Sequence, residues 1–307
     1  MGRSVDIAAV QWKIRPIPNF DAFALQATAL LDEAWGADII VFPELFTLSL
    51  LTASPDWTQR SMSDVVLIEE YTSQYREFFG AEAKKRGQHI FGGSHLVRED
   101  GRYLNVAHLF QPSGDVLMHR KTHVFPGELE WQTEEGDDLL AWDLGFAIVG
   151  TMICYEAEFP ECAATLTEMG AEILLCPSFG FTENGFWRVR HCCAARAIEN
   201  QVYVVNACTS GSPGPGMAAG FARSSILSPS DAPWAASGVV VEGETNVECV
   251  VRASVDLDVL HENREQGAAP TYRDRRRRAD LYPRGAEHTA VTAHGHRRPH
   301  HWARVSE

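Results

Sequence analysis

Four stretches of this chain are apolar nearly end to end: "ADIIVFPE" at 37–44, "FAIVGTMI" at 146–153, "EILLCPS" at 172–178 and "QVYVVNA" at 201–207. A strand with one wet face alternates apolar and polar residues. A strand that does not alternate is covered on both faces. Segments of helical period lie between these runs. Phe23, Leu25, Ala27, Leu30, Leu31 and Ala34 recur at helical spacing within Asp21–Trp35, with Asn19 or Asp21 as the N-cap. Glu70–Arg86 reads as a second helix stopped by Gly87, and "PECAATLTEMG" and "FWRVRHCCAARAIEN" as two more. The expected class is therefore α/β, a sheet covered by helices. Val5–Val10, "HIFGGSH" and "YLNVAHLF" read as further strands and "QPSGD" as a turn. Beyond Gly220 the chain reads as β-rich, through "SSILSP", "GVVVEG" and "ECVVRASVDL".

No linker divides the body, so one domain is expected over 1–283. From Tyr272 onward the chain holds nine arginines, five histidines and four acids, a net charge of +5, so Met1–Thr271 carries −19 of a total of −14. Residues 284–307 are expected to form a flexible basic, His-rich tail. An acidic chain of this kind is not expected to bind nucleic acid generally. No apolar run is long enough for a signal peptide or a bilayer span, so no membrane partner and a cytoplasmic location are expected. Seven cysteines, with neither a CxxC nor an HExxH pattern, fit a reduced compartment and give no support for zinc. The Gly/Pro-dense stretch 209–238 is expected to be a loop shaping a pocket or an oligomer contact.

Most cysteines in such a chain are inert core residues, and Cys162, Cys192, Cys193, Cys208 and Cys249 read that way. Cys154 differs by position. It ends a strand-like run in "VGTMICYEAEFPE", where open α/β sheets place their sites and where free backbone N–H groups can stabilise an oxyanion. A nucleophilic thiol needs help to ionise. Glu44 ends another run, after "IIVFP", and Lys121 follows a third in "HRKTH". The three meet if their strands are neighbours.

These strings, "IIVFPELF", "HRKTHVFPGE" and "MICYEAEFPE", resemble the three signatures of the nitrilase superfamily, the carbon–nitrogen hydrolases, in the family's order. "LLCPS", "WRVRHCCAARAIENQVYVVNA" and "GFARSSILSP" resemble its later segments, so the likeness runs from Val5 to Pro283. It implies a four-layer α–β–β–α sandwich, a homodimer or higher homo-oligomer, and no metal or organic cofactor. Residue by residue, it implies Glu44 as general base, Lys121 as charge stabiliser, Cys154 as nucleophile and Glu128 as a second glutamate beside them. Glu130, Glu134 and Glu135 crowd the same loop. The backbone N–H of Tyr155 would complete an oxyanion hole, and Tyr155, Trp131, Phe179 and Trp187 are the candidate pocket residues. Arg188 and Arg190 read as internal ion pairs rather than as substrate ligands, and His119 and His123 as loop packing. "CYE" looks more like the amidase branches than the nitrilases, which place Trp after the cysteine. The implied activity is hydrolysis of a small linear amide through a thioester. An N-carbamoyl compound or a nitrile is the alternative, and a silent scaffold a more distant one.

Overall fold

The structure, a computed structural model, describes residues 2–214 and 216–282, and the backbone of 290–291 and 297–298. The expected tail otherwise lies outside the described residues. The elements run β1 (Ser4–Ile14), α1 (Phe20–Glu33), β2 (Ile39–Val41), α2 (Thr72–Arg86), β3 (His89–Glu99), β4 (Arg102–Phe110), β5 (Val116–Arg120), β6 (Thr133–Glu134), β7 (Ala141–Asp143) and β8 (Ile148–Thr151). They continue with α3 (Pro160–Glu168), β9 (Ile173–Ser178), α4 (Glu183–Asn200), β10 (Tyr203–Gly211), β11 (Ser225–Leu227), β12 (Val239–Glu242), β13 (Cys249–Asp256), α5 (Leu257–Gln266) and α6 (Thr271–Arg277).

The strand order β5-β4-β3-β2-β1-β10-β9-β8-β7 folds over on itself. Only the last three residues of β1, Trp12–Ile14, pair with β10, while the rest of β1 lies between β2 and β13. The sheet is thus two layers joined at one corner. Side-chain alternation shows what each face meets. Ile7 and Ala9 of β1 pack against Ile173 and Leu175 of β9 and Val205 of β10, in a core between the two layers. Ala8 and Val10 face the other way, onto Phe23 and Leu31 of α1 and Phe79 of α2. Leu174 and Cys176 turn toward Ala163 of α3 and Val189 and Cys193 of α4. Both faces of each layer are covered, which is why these strands carry near-continuous apolar runs. The result is the four-layer α–β–β–α sandwich.

Local signals place the boundaries. Asn19 caps α1 by accepting from the Ala22 N–H, and α2 ends at Gly87, whose φ of 65° is the left-handed turn that glycine adopts freely. The chain after β13 departs from the β-rich expectation. Asp256 accepts from the N–H groups of Asp258 and Val259, starting α5, which buries Leu257 and Leu260 at the end of the inter-sheet core. The compositional shift at Tyr272 falls inside the body expected over 1–283. The Tyr272 ring lies between Arg264 and Arg276, with guanidinium carbons 4.3 and 3.9 Å from its centroid, which docks α6. No helix among the described residues is long and apolar enough to cross a membrane.

Candidate active site

Glu44 is delivered by β2. Its neighbour strand β3 bulges between Phe91 and Ser94, and Glu44 bridges Ser94 there. Gly93 makes that approach possible: with φ +64°, a Cβ on it would sit 2.0 Å from the Pro43 carbonyl oxygen. Lys121 follows β5 directly, and its N–H donates to the Asn105 carbonyl of β4 at 2.9 Å. Cys154 follows β8 at the start of a 3₁₀ turn, Cys154–Glu158, with a φ of 48°. A non-glycine residue in that region is strained, and a strained elbow at a strand end is a frequent mark of a functional site. Glu128 comes from the 3₁₀ turn Pro126–Trp131.

Glu44, Lys121 and Glu128 form one buried cluster, and Cys154 adjoins it. The Lys121 ammonium donates to Glu44 Oε1 at 2.7 Å and also pairs with Glu128 Oε1. Glu44, Lys121 and Glu128 are each almost completely removed from solvent. Glu44 Oε2 accepts the Phe179 N–H at 2.9 Å, and its main-chain carbonyl accepts from Thr209 at 2.7 Å. Asn105 donates to Glu44 Oε1 and Glu128 Oε2, at 3.0 Å each. Burial raises the Glu44 carboxyl above the ordinary range; Lys121 opposes this and Glu128 reinforces it. Burial also works against the Lys121 charge, but Glu128 and Glu44 outweigh it and hold the ammonium protonated. Burial and the Glu44 charge push the Cys154 thiol well up, against the pull of Lys121. Burial thus favours the thiol form of Cys154 and raises the Glu44 carboxyl beside it.

A second buried carboxylate, Glu156, lies two residues after Cys154. Glu156 Oε2 accepts the Ile153 N–H at 2.5 Å, and Oε1 accepts the Thr122 N–H at 2.7 Å and its hydroxyl at 2.6 Å. His119 Nε2 lies 3.0 Å from Glu156 Oε2. Burial alone would raise this carboxyl, but His119 and Thr122 more than offset it and hold it below the ordinary value. Glu156 therefore fastens the residues flanking Lys121 to the residue preceding Cys154. Arg196 of α4 adds a bond from Nε to the Ala157 carbonyl at 3.0 Å, tying the long helix to the same turn.

Cys154 is partly exposed, and it opens into a cavity of about 230 Å³ whose lining includes Glu44, Glu128, Tyr155, Phe125, Phe179 and Phe181. That is below the roughly 300–1,000 Å³ usual for drug-sized ligands, so the space suits a small substrate. The lining also includes a pair of opposite charges, Arg188 and Glu158, with Arg188 Nε 2.8 Å from both carboxylate oxygens.

Of the candidate pocket residues, Tyr155 and Phe179 line the cavity. Trp131 does not. It is 2% exposed and stands behind Phe181 in the core beneath α1 and α2, because the turn that carries Glu128 inward takes its last residue with it. Trp187 lies on the far side of α4, against Phe186, His191 and Arg223. Arg188 is paired, as expected, but its partner is on the cavity wall. Arg190 is committed to Glu242, and Arg196 to Glu199 as well as to the elbow. Glu130 and Glu134 are exposed, and Glu135 accepts the Val124 N–H. His123 stacks on Phe159. The Gly/Pro-dense stretch is not part of the lining, but Phe221 donates to the Gly180 carbonyl of the cavity wall at 3.0 Å.

Sequence reasoning did not find Asn105, Phe125 or the fastening role of Glu156. Asn105 sits in a strand pattern, "YLNVAHLF", where one buried asparagine is the sole signal. Among the described residues, no group of three or more His, Cys, Asp or Glu side chains could hold a metal ion.

Comparison with known proteins agrees with this architecture. The chain is 37% identical over 284 residues to the probable hydrolase YhcX of Bacillus subtilis (strain 168), covering 91% of this chain and 54% of that protein. It thus spans about half the length of that relative. It is 32% identical over 293 residues to the omega-amidase NIT2-A of Xenopus laevis, covering 90% of this chain and 96% of the relative. The crystal structure of a carbon-nitrogen hydrolase from Helicobacter pylori G27 superposes with a TM-score of 0.74 at 22% identity, over 92% of this chain and 98% of that one. The sequence profile of the carbon-nitrogen hydrolases matches residues 6–261. The chain belongs to the carbon-nitrogen hydrolase family.

Proposed function

We propose that this chain is a cysteine-dependent hydrolase that cleaves a small linear amide to a carboxylate and ammonia. One observation carries the reading: a thiol at a strained elbow opens into a small cavity beside a buried carboxylate, itself held by a buried lysine and a second glutamate. Glu44 takes the Cys154 proton as the sulfur attacks the amide carbonyl carbon. The carbonyl oxygen gains the negative charge, which the Lys121 ammonium and the Tyr155 N–H stabilise. Protonated Glu44 passes its proton to the leaving nitrogen, ammonia departs and a thioester remains. Water then attacks the thioester, giving a proton to Glu44, and that proton returns to the departing sulfur. The carboxylate leaves and the enzyme is restored. Lys121 stays charged throughout, with Glu128 as its second anchor.

The cavity wall favours a finer substrate reading. Arg188 uses Nε for Glu158 and has further donors for a carboxylate, so an amide with an acid at its far end fits, in keeping with the omega-amidase relative. Ammonia release should be followed from neutral short amides, ω-carboxylated amides, N-carbamoyl amino acids and nitriles, with wild type and Cys154→Ala in parallel. Release from the amides that is lost in Cys154→Ala supports the reading, and preference for ω-carboxylated amides supports the finer one. Release retained in Cys154→Ala overturns the nucleophile. Release from nitriles or N-carbamoyl compounds alone moves the chain to another branch.

A further inference from the structure

Among the described residues, Asn105 is the uncharged side chain that donates to both glutamates of the cluster. It is fully buried on β4. Its amide nitrogen donates both protons, one to Glu44 Oε1 and one to Glu128 Oε2, at 3.0 Å each. Its main-chain carbonyl holds the Lys121 N–H at 2.9 Å. One residue therefore contacts all three members of the buried cluster. Its amide oxygen has no hydrogen-bond partner among the described residues. The orientation is nevertheless the workable one, since the flipped amide would aim that oxygen at two carboxylates. A buried asparagine that aims its amide N–H groups at two anions serves those anions.

The consequence falls on Glu44. Its Oε1 already accepts from Lys121 and from Asn105, which fills both lone pairs. Its Oε2 accepts the Phe179 N–H, and the Cys154 thiol also approaches this carboxylate. We infer that Asn105 is a positioning residue. It occupies Oε1 so that Oε2 alone serves as the base toward Cys154, and it separates Glu44 from Glu128, whose charges oppose each other's ionisation. This rests on the proposed role of Glu44 as the base. Asparagine is suited to the place because aspartate would add a third carboxylate and leucine would supply no donor.

The test uses the full chain with Asn105→Asp and Asn105→Ser, and two readouts. One is the pH profile of kcat/KM on the best amide. The other is the rate at which iodoacetamide alkylates Cys154, followed by intact mass, which needs no turnover. Loss of two donors to charged groups should lower kcat about 10–100-fold. KM should stay within about twofold, and the acid limb of both profiles should move to higher pH. Asn105→Ser, which retains one donor, should lie between wild type and Asn105→Asp. If Asn105→Asp fails to fold, Asn105→Ser alone is read against wild type. An unmoved acid limb overturns the inference, whether kcat is unchanged or falls only in step with thermal stability. Failure of the underlying reading looks different: wild type and Glu44→Gln would then alkylate with the same pH dependence.

Discussion

Two buried carboxylates accompany Cys154, Glu44 from another strand end and Glu156 two residues along the chain, and they obey opposite rules. Glu156 has every approach filled: two backbone N–H groups, one hydroxyl and one imidazole converge on it. Its carboxyl is held below the ordinary value. Glu44 is as deeply buried and also has a cation beside it, yet its carboxyl is raised. The difference lies in what each leaves open. Glu44 has one backbone donor on Oε2, lines the cavity together with the thiol and shares its lysine with Glu128. A satisfied buried carboxylate is a fastener, while an under-satisfied one facing a cavity is a reservoir for a proton.

Exchanging each for its neutral isostere should separate the two most strongly. Glu44→Gln should lower kcat by about 10²–10⁴-fold, the range of a lost general base. Its stability in urea should hold or rise, because a raised carboxyl is charged at a cost to the fold. Glu156→Gln should behave in the reverse way. It should lose about 1–3 kcal/mol in urea denaturation by leaving buried donors poorly matched, while kcat per folded molecule falls less than tenfold. Equal effects of the two changes on both quantities would erase the distinction.

Removing the cation tests how far the Glu44 side depends on compensation. Lys121→Met leaves two buried carboxylates without their ammonium and should cost about 3–5 kcal/mol, read from the urea midpoint. Activity should be lost with it. Stability equal to wild type would mean that the glutamates do not rely on the lysine.

The pH dependences should diverge as well. Glu44 is raised, so the acid limb of kcat/KM should lie above 4.5, and its contribution to stability is unfavourable once pH exceeds that value. Glu156 is lowered, so its favourable contribution is complete above 4.5 and is lost as pH falls below that through its folded value. Urea titrations of wild type and Glu156→Gln should therefore converge in acid. An acid limb below 4.5, or a stability gap that persists in acid, would break the assignment.

The smallest effects belong to the cavity mouth. Arg188 is half exposed, and Arg188→Ala should change stability by less than about 1 kcal/mol. It should raise KM for ω-carboxylated amides and leave neutral amides unaffected. Trp187→Ala, on the outer side of α4, should change neither KM, and a steady-state comparison on both substrate types checks the pair.

Much of this molecule follows from local sequence. The unalternated runs report strands covered on both faces, and the covering helices are found where the period-3.6 segments lie. Asn19 and Gly87 mark helix ends by capping chemistry that needs only a few neighbouring residues. The family strings single out Glu44, Lys121, Cys154 and Glu128, and the strand-end positions of the first three follow from the same pattern.

What local sequence left open depends on contacts between distant residues. Glu44 and Lys121 meet across 77 positions, and Phe179 reaches Glu44 across 135. Two tryptophans equally near the motifs were equally plausible as cavity walls, but the inward turn of Glu128 takes Trp131 into the core and helix phase turns Trp187 outward. Asn105 and Glu156 look like ordinary polar residues until β4 and the elbow turn bring their partners within 3.0 Å. Periodicity and capping are properties of a few adjacent residues, so the sequence alone determined the elements and their covered faces. The number of donors around a buried carboxylate is set by chain segments far apart, so only the tertiary structure decided which glutamate is fully bonded and which lines the cavity.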